Sequence, residues 1–257
     1  MPLEEIINRQ GIIISAPASG AGKTTVTLGL INAFARKGSV QPFKSGPDYI
    51  DSKFQSVAAD RPSYNLDTWA MSSSDILNMI GMVGPSDICI AEGSMGLFDG
   101  VISKGAGGNG STADLASITN WPVILVVDCA KQAQSVAALI AGFNSFRHDI
   151  TIGGIILNNI SSKRHEALVV SEVSKTKVPI LGVIPRSNEL TIPERHLGLV
   201  QAEDLSDLEQ LIFKLGTLIE ENCDLEAIAC TARNSFPPIS TSVSYTHLTL
   251  PTKLSVG

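Results

Sequence analysis

The stretch Ala16-Pro17-Ala18-Ser19-Gly20-Ala21-Gly22-Lys23-Thr24-Thr25 decides the fold of this chain. It follows an apolar run at residues 11–15, which is typical of a strand buried on both faces. It opens a segment, residues 24–37, whose apolar side chains recur at helical spacing up to Gly38. A Gly-rich turn between a strand and a helix, ending in Gly-Lys-Thr, is typical of a phosphate-binding P-loop.

The small residues of such a loop allow its backbone to wrap around phosphate oxygens. Its amides and the dipole of the following helix add positive potential. Lys23 is expected to reach the β- and γ-phosphates, and the hydroxyl of Thr24 to bind Mg²⁺. Pro17 stands where the usual motif has its first glycine, and this is a departure from the pattern. The predicted nucleotide-binding residues of the loop are Ser19, Gly20, Ala21, Gly22, Lys23, Thr24 and Thr25.

The rest of the chain alternates short strand candidates with helical patterns. The strand candidates are residues 40–43, 87–92, 122–128, 152–157 and 180–184. The helical patterns are residues 112–119, 132–146, 162–175, 204–221 and 224–232. This rhythm predicts a P-loop NTPase fold, a three-layer α/β/α sandwich around a mostly parallel sheet. We predict one domain over residues 1–235, followed by a segment without periodicity at residues 236–257.

Two irregular segments, residues 44–69 and 93–111, follow strands and are expected at the carboxyl edge of the sheet, where such folds place their sites. The first carries Lys44, Asp48, Tyr49 and Asp51. A carboxylate there could hold Mg²⁺, and the lysine could neutralise a transferring phosphoryl group. Taken alone, its Gly-Pro-Asp sequence favours an ordinary solvated turn.

Polar residues also follow three of the apolar strands. Glu92 ends one of them and is predicted to be a second Mg²⁺ partner, with an acid exposed to water as the alternative; Asp99 follows in the same loop. Asp128 ends the strand at 122–128, and a helix cap is its favoured role. Asn158 is a candidate for a hydrogen bond to adenine, and a turn asparagine is an equal alternative.

Composition excludes several classes of protein. The 257 residues are 44% hydrophobic, and 19 basic against 25 acidic residues give a net charge of −6, which argues against wide contact with nucleic-acid phosphates. No apolar run approaches the roughly 20 residues that span a bilayer, and no secretory signal is visible, so a cytoplasmic protein is expected. The four cysteines and four histidines have no metal-site spacing.

Several long motifs resemble the cobyrinic acid a,c-diamide synthase family. They lie at residues 16–25, 40–51, 61–67, 91–100, 110–116, 184–186 and 194–200, and the resemblance runs from about Gly11 to about Ala232. It implies a dethiobiotin-synthetase-like fold. It also implies ATP- and Mg²⁺-dependent amidation of the a and c acetate side chains of cobyrinic or hydrogenobyrinic acid, through an acyl phosphate, in cobalamin biosynthesis.

The resemblance also implies roles for individual residues. Lys44 would stabilise the transferring phosphoryl group, and Asp48, Tyr49 and Asp51 would shape the site and position the macrocycle or the metal. Glu92 and Asp99 would complete it. The implied Mg²⁺ ligands are Thr24, Asp51 and Glu92, and Asn158 and Pro185 are assigned to the nucleotide.

The chain departs from the family after Ala232, where family members continue into a glutaminase domain. Ammonia would therefore come from a separate glutaminase or from solution. Residues 240–257 resemble no part of the family and are expected to be non-native and disordered. The sequence leaves open whether the chain forms a homodimer. The alternatives are amidation of nickel-sirohydrochlorin and a partitioning or cargo-switch P-loop ATPase; the latter class has a second lysine where this chain has Ala18.

Overall fold

A computed structural model describes residues 9–187 and 202–233 of the chain. Within these residues one sheet contains seven strands, in the order β3-β2-β4-β1-β5-β6-β7. Every neighbouring pair is parallel, as the alternating sequence pattern predicts. The strands are β1 (Gly11–Ser15), β2 (Val40–Ser45), β3 (Tyr64–Leu66), β4 (Ile88–Glu92), β5 (Val123–Asp128), β6 (Ile152–Ile160) and β7 (Ile180–Pro185).

Helices cover both faces of this sheet. In chain order they are α1 (Lys23–Ala35), α2 (Tyr49–Ala59), α3 (Ser73–Met82), α4 (Thr112–Thr119), α5 (Val136–Phe146), α6 (Lys163–Val173), α7 (Ala202–Asn222) and α8 (Leu225–Arg233), with a 3₁₀ turn at Ser174–Thr176. Buried residues of α3, α4, α5 and α6 pack on one face, and those of α1, α2, α7 and α8 on the other. None of the helices described is both long enough and apolar enough to cross a membrane.

Strand β1 shows why the continuous apolar run at residues 11–15 is needed. Ile13 packs into the core of the α3–α6 layer, whereas Ile12 and Ile14 pack into the core of the opposite layer. All three side chains are fully buried. A central parallel strand has no solvent face, so side chains that alternate between the two faces must all be apolar. This confirms the predicted three-layer sandwich.

Three elements were missed by the sequence prediction. The segment 44–69 is not irregular throughout, because it contains α2 and β3, and α3 follows it. In α2 the apolar Phe54 and Val57 are only partly buried against the core, and two of its three buried residues, Asp51 and Gln55, are polar, so its helical pattern was harder to recognise. Helix α3 did carry a signal, because Ser72 and Asp75 form a capping box at its start.

The strand order brings three loops together at the carboxyl edge of the sheet. Strand β4 lies between β1 and β2, and the register pairs Glu92 with Ile14 on one side and with Lys44 on the other. The P-loop follows β1, and the two segments predicted to carry functional residues follow β2 and β4. The ends of these three strands therefore place Lys44 and Glu92 beside the P-loop.

Candidate active site

The P-loop backbone depends on two glycines. Gly20 and Gly22 have φ angles of +80° and +88°, in the left-handed region that favours glycine. Gly22 is also the N-cap of α1, and a Cβ atom added there would overlap the side-chain amide of Asn158. Any residue with a side chain at position 22 would have to distort the loop or displace that amide.

Lys23 is buried at the start of α1, and its Nζ donates a hydrogen bond to the backbone oxygen of Met95. Burial lowers the pKa of this lysine, because an ammonium group loses hydration there, and the charge of Glu92 opposes the shift in part. Met95 has a φ of +49°, in the left-handed region. The amide of Leu97 donates to the oxygen of Ala16 at 2.8 Å, so the loop after β4 lies directly against the P-loop.

Three charged side chains form a buried cluster beside the loop. The Nζ of Lys44 lies 2.7 Å from Oδ2 of Asp51 and 3.2 Å from Oε1 of Glu92. Burial alone would lower the pKa of Lys44, but attraction and hydrogen bonds to both carboxylates outweigh it and raise that pKa. Burial and repulsion from Glu92 raise the pKa of Asp51, with Lys44 opposing them. Lys44 is therefore held in its charged form.

A hydroxyl and a carboxylate link the P-loop to this cluster. The Oγ1 of Thr24 donates to Oε1 of Glu92 at 2.7 Å. Both are hard oxygen donors of the kind that Mg²⁺ accepts, and Mg²⁺ in nucleotide sites takes most of its other ligands from phosphates and water. Among the described residues no group of three or more His, Cys, Asp or Glu could hold a metal by itself. The donor set thus fits an Mg²⁺ ion that arrives with a nucleotide.

Two predicted catalytic residues, Asp48 and Asp99, have structural contacts of their own, and a third, Tyr49, is exposed. Asp48 is the N-cap of α2, and its Oδ1 accepts from the amides of Ile50 at 3.0 Å and Asp51 at 3.1 Å. Tyr49, the first residue of α2, is 71% exposed. Asp99 accepts from the amide of Gly96 at 2.9 Å, which closes the turn beyond Met95. These contacts leave their catalytic roles as predictions.

Residues near the ends of β5 and β6 differ from the structural roles that the sequence predicted, and the hydrogen bond of Asn158 to adenine stays a prediction. Asn158 lies inside β6 rather than in a turn, and its Nδ2 donates to the oxygen of Ala21 in the P-loop at 3.0 Å. Asp128 was expected to cap the next helix, which is wrong because α5 begins only at Val136. Its Oδ1 accepts instead from the amide of Ala130 and the side chain of Asn159.

Backbone hydrogen bonds hold the Gly-rich loop, residues 93–111, against the end of β3. The amide of Ala106 donates to the oxygen of Trp69 at 2.8 Å, and that of Gly107 to the oxygen of Thr68 at 2.9 Å. A Cβ atom at Gly105 would overlap the backbone of Trp69. The loop therefore packs backbone against backbone on the segment that follows β3.

The loops enclose a cleft of about 940 Å³. Of the predicted site residues, Ala21, Tyr49 and Asp99 are not on its wall. Gln55, which the sequence prediction missed, is fully buried and donates from Nε2 to Oε2 of Glu92 at 2.8 Å. Its spacing of four residues from Asp51 would have placed it on the same helix face. The predicted residues that line the cleft are Ser19, Gly20, Gly22, Lys23, Thr24, Thr25, Lys44, Asp48, Asp51, Glu92, Asn158 and Pro185.

The predictions that fall on residues 188–201 and 234–257 lie outside the described residues. These are the motif at 194–200, the segment 236–257 and the non-native tail at 240–257. The cysteines, in contrast, lie within the described residues: Cys89 and Cys129 are buried in the sheet region, and all four are free.

Comparison with known proteins shows a family and several similar relatives, of which two are described. The family model described as the CobQ/CobB/MinD/ParA nucleotide binding domain matches residues 12–200. The hydrogenobyrinate a,c-diamide synthase of Rhodobacter capsulatus is 46% identical over 224 residues, which are 87% of this chain and 52% of that protein. The enzyme of the same name from Brucella anthropi is 47% identical over 222 residues, 85% of this chain and 50% of that protein.

The chain thus spans about half the length of the curated relatives it matches. Among solved structures, one similar chain belongs to the MinC:MinD cell division protein complex of Aquifex aeolicus. Its sequence identity is 16% and its TM-score 0.48, and the match covers 87% of this chain and 94% of that one.

Proposed function

Because the chain belongs to the CobQ/CobB/MinD/ParA nucleotide binding domain family, we propose that it uses ATP to amidate the a and c acetate side chains of hydrogenobyrinic or cobyrinic acid. The observation that carries the proposal is the buried Lys44, Asp51 and Glu92 cluster beside a P-loop. The support for this substrate class is the 46–47% identity to hydrogenobyrinate a,c-diamide synthases over most of the chain.

The first step is phosphorylation of the acceptor. A carboxylate oxygen of the macrocycle attacks the γ-phosphorus of ATP, and the bond from that phosphorus to the β,γ-bridging oxygen breaks. The products are an acyl phosphate and ADP. Lys23 and Lys44 both interact with Glu92 and would stabilise the negative charge of the transferring group. An anionic acceptor would be repelled by ATP without these two cations.

The second step forms the amide. The lone pair of ammonia attacks the carbonyl carbon of the acyl phosphate, inorganic phosphate leaves, and the nitrogen loses a proton. The ammonia would come from a glutaminase domain in trans or from solution. We assign Asp48 and Tyr49 to orienting the macrocycle, because Asp48 lines the cleft and Tyr49 is exposed next to it. Asp99 would hold the turn that places the oxygen of Met95 near Lys23.

Thr24 and Glu92 are the residues that would hold Mg²⁺. When bound, the ion would neutralise phosphate charge and orient the γ-phosphate. Asp51, the third predicted ligand, already pairs with Lys44 at 2.7 Å, so we assign it to holding that lysine charged and in place. Asn158 and Pro185, which line the cleft, would contact the nucleoside.

A direct assay tests the proposal. The purified chain is incubated with ATP, Mg²⁺, an ammonium salt and either hydrogenobyrinic or cobyrinic acid, and products are identified by mass spectrometry. We expect a monoamide and then a diamide, with one ADP per amide, and none from Lys23→Ala. A folded, nucleotide-binding chain that amidates neither acid would refute the proposal, and an arm with nickel-sirohydrochlorin would identify that alternative.

The partitioning or cargo-switch class is distinguished by a single position. Its second P-loop lysine is replaced here by Ala18, which argues against it. Light scattering of the same samples, with and without ATP, measures whether the chain dimerises and so distinguishes the two classes. ATP-dependent dimerisation without amide formation would favour the switch, whereas a homodimer independent of ATP would agree with the synthetase. A cytoplasmic location stays a prediction of the sequence.

A further inference from the structure

The carboxylate of Glu92 is bonded at both of its oxygens. Oε1 accepts from Thr24 and lies 3.2 Å from the Nζ of Lys44, so this oxygen faces the P-loop. Oε2 accepts from Nε2 of Gln55 at 2.8 Å. Glu92 and Gln55 are both fully buried. A buried carboxylate needs a donor at each oxygen, so Gln55 stabilises the rotamer in which Oε1 points toward the loop.

A serine sets the orientation of the Gln55 amide. Ser63 Oγ donates to Oε1 of Gln55 at 2.8 Å. A glutamine amide has one accepting and one donating end, so a hydroxyl that donates to Oε1 turns the NH₂ group toward Glu92. An ionised carboxylate only accepts, which requires this orientation.

Ser63 is itself held in place by α2. Its amide donates to the Oγ of Ser56 at 2.9 Å, and Asn65, two residues on, accepts a hydrogen bond from Ser52. Residues 61–67 therefore bind along α2 as they enter β3. None of residues 61–67 lines the cleft, although Asn65 pairs with Lys44 in the sheet. The hydrogen bonds to α2 therefore give this motif a structural role beside the site.

We propose that Gln55 is a positioning residue, oriented by Ser63, that holds Glu92 so that its Oε1 and the hydroxyl of Thr24 together receive the Mg²⁺–nucleotide complex. The effect of Gln55 on amidation rests on the proposed function. Its effect on the binding of metal and nucleotide does not rest on that function, because this binding involves only the P-loop and Glu92.

The test compares Gln55→Leu with Thr119→Val. The leucine removes both amide hydrogen bonds at similar volume. Thr119 is also buried, and its Oγ1 donates to the oxygen of Leu115, but it lies at the end of α4, which leads into the amino end of β5. The probe is Mn²⁺ in the presence of ADP, followed by electron paramagnetic resonance, with thermal melting on every variant.

We expect Gln55→Leu to weaken Mn²⁺ binding and to lower kcat by about 10- to 100-fold, the usual effect of removing an outer-shell partner. The KM for the macrocycle should stay near wild type. Ser63→Ala should show a smaller loss of the same two quantities, because the amide can then rotate. Thr119→Val should lower the melting temperature and leave Mn²⁺ affinity unchanged.

Two results would overturn the proposal. One is wild-type Mn²⁺ affinity in Gln55→Leu, and the other is an equal loss in Thr119→Val, which would mean that stability alone is responsible. If Gln55→Leu loses Mn²⁺ affinity while the wild-type chain forms no amide, the positioning role stands and the proposed function fails.

Discussion

At the scale of single residues, the site concentrates charge where water is scarce. Lys44, Asp51 and Glu92 are 4%, 5% and 0% exposed, so each has lost nearly all of its hydration. Attraction between buried charges often only balances that loss, and such clusters are then poor sources of stability. Their value here is that the lysine is fixed and charged before any substrate arrives. The free-energy cost of burying these charges can be measured when one of the three side chains is replaced.

Lys44→Met leaves Asp51 and Glu92 buried without their shared cation. We expect the free energy of unfolding to fall by about 3–5 kcal/mol, since breaking a buried pair from one side leaves an uncompensated charge. Urea unfolding at neutral pH measures the change. The double variant Lys44→Met/Asp51→Asn should recover part of the loss. A single variant as stable as wild type would show that the cluster is hydrated in solution.

Lys23 gives a pH dependence with a definite sign. Burial lowers its pKa from the ordinary 10.5, so the free chain loses the ammonium charge at a lower pH than an exposed lysine would. ADP affinity should therefore decline as the pH rises toward 10. Lys23→Arg stays charged over that range. It should bind more weakly at pH 7 but show no such decline, and calorimetry at several pH values compares the two. If ADP affinity declined equally with pH in the wild type and in Lys23→Arg, the assignment of this pH dependence to Lys23 would be wrong.

At the scale of elements, the turn between β2 and α2 shows how one residue can serve structure and function. Asp48 caps α2 through two backbone amides, and the same helix carries Asp51 and Gln55 into the site. The cap therefore fixes where α2 begins and, through it, where both side chains lie. Any catalytic role for Asp48 has to be separated from this structural one.

Two substitutions of Asp48 make that separation. Asparagine caps a helix as well as aspartate, so Asp48→Asn should keep the stability of the wild type. Asp48→Ala should lose about 1 kcal/mol with the cap. If the carboxylate positions the macrocycle, amidation should fall strongly in both variants. Wild-type turnover in Asp48→Asn would restrict the residue to capping, and steady-state kinetics beside urea unfolding distinguishes these cases.

Sequence patterns predicted some elements well and could not predict others, for physical reasons. Strands β1 and β5 and helices α1 and α4 carry apolar runs or stripes because they pack against the core. In helix α2 the deeply buried positions include an acid and an amide beside the site, whereas its apolar Phe54 and Val57 are only partly buried. The contact of Gln55 with Glu92 joins residues 37 positions apart, and it could be recognised only once the strand order was known.

At the scale of the whole molecule, the last described helix belongs to the same core as the first. Ile228 of α8 is fully buried with residues of α1 and α7, and the amide of Asp224 donates to the oxygen of Leu181 in β7 at 2.8 Å. The folding unit therefore extends at least through α8. The predicted domain limit at residue 235 lies just beyond it.

Two shortened chains test that limit. A chain that ends at residue 235 should keep the melting temperature and ADP affinity of the full chain, because it retains α8. A chain that ends at residue 222 should melt at a markedly lower temperature, because it exposes the apolar surface under Ile228. A loss of stability in the longer of the two would move the domain limit past residue 235.

The way in which the Gly-rich loop is held has a consequence for its evolution. Its bonds to Thr68 and Trp69 run between backbone groups, so they constrain the size of the loop residues but not their chemistry. In a library of random variants, position 105 should reject every side chain, whereas exposed Ile102 should accept most of them. The loop can thus change its exposed side chains while the path of its backbone beside Thr68 and Trp69 persists.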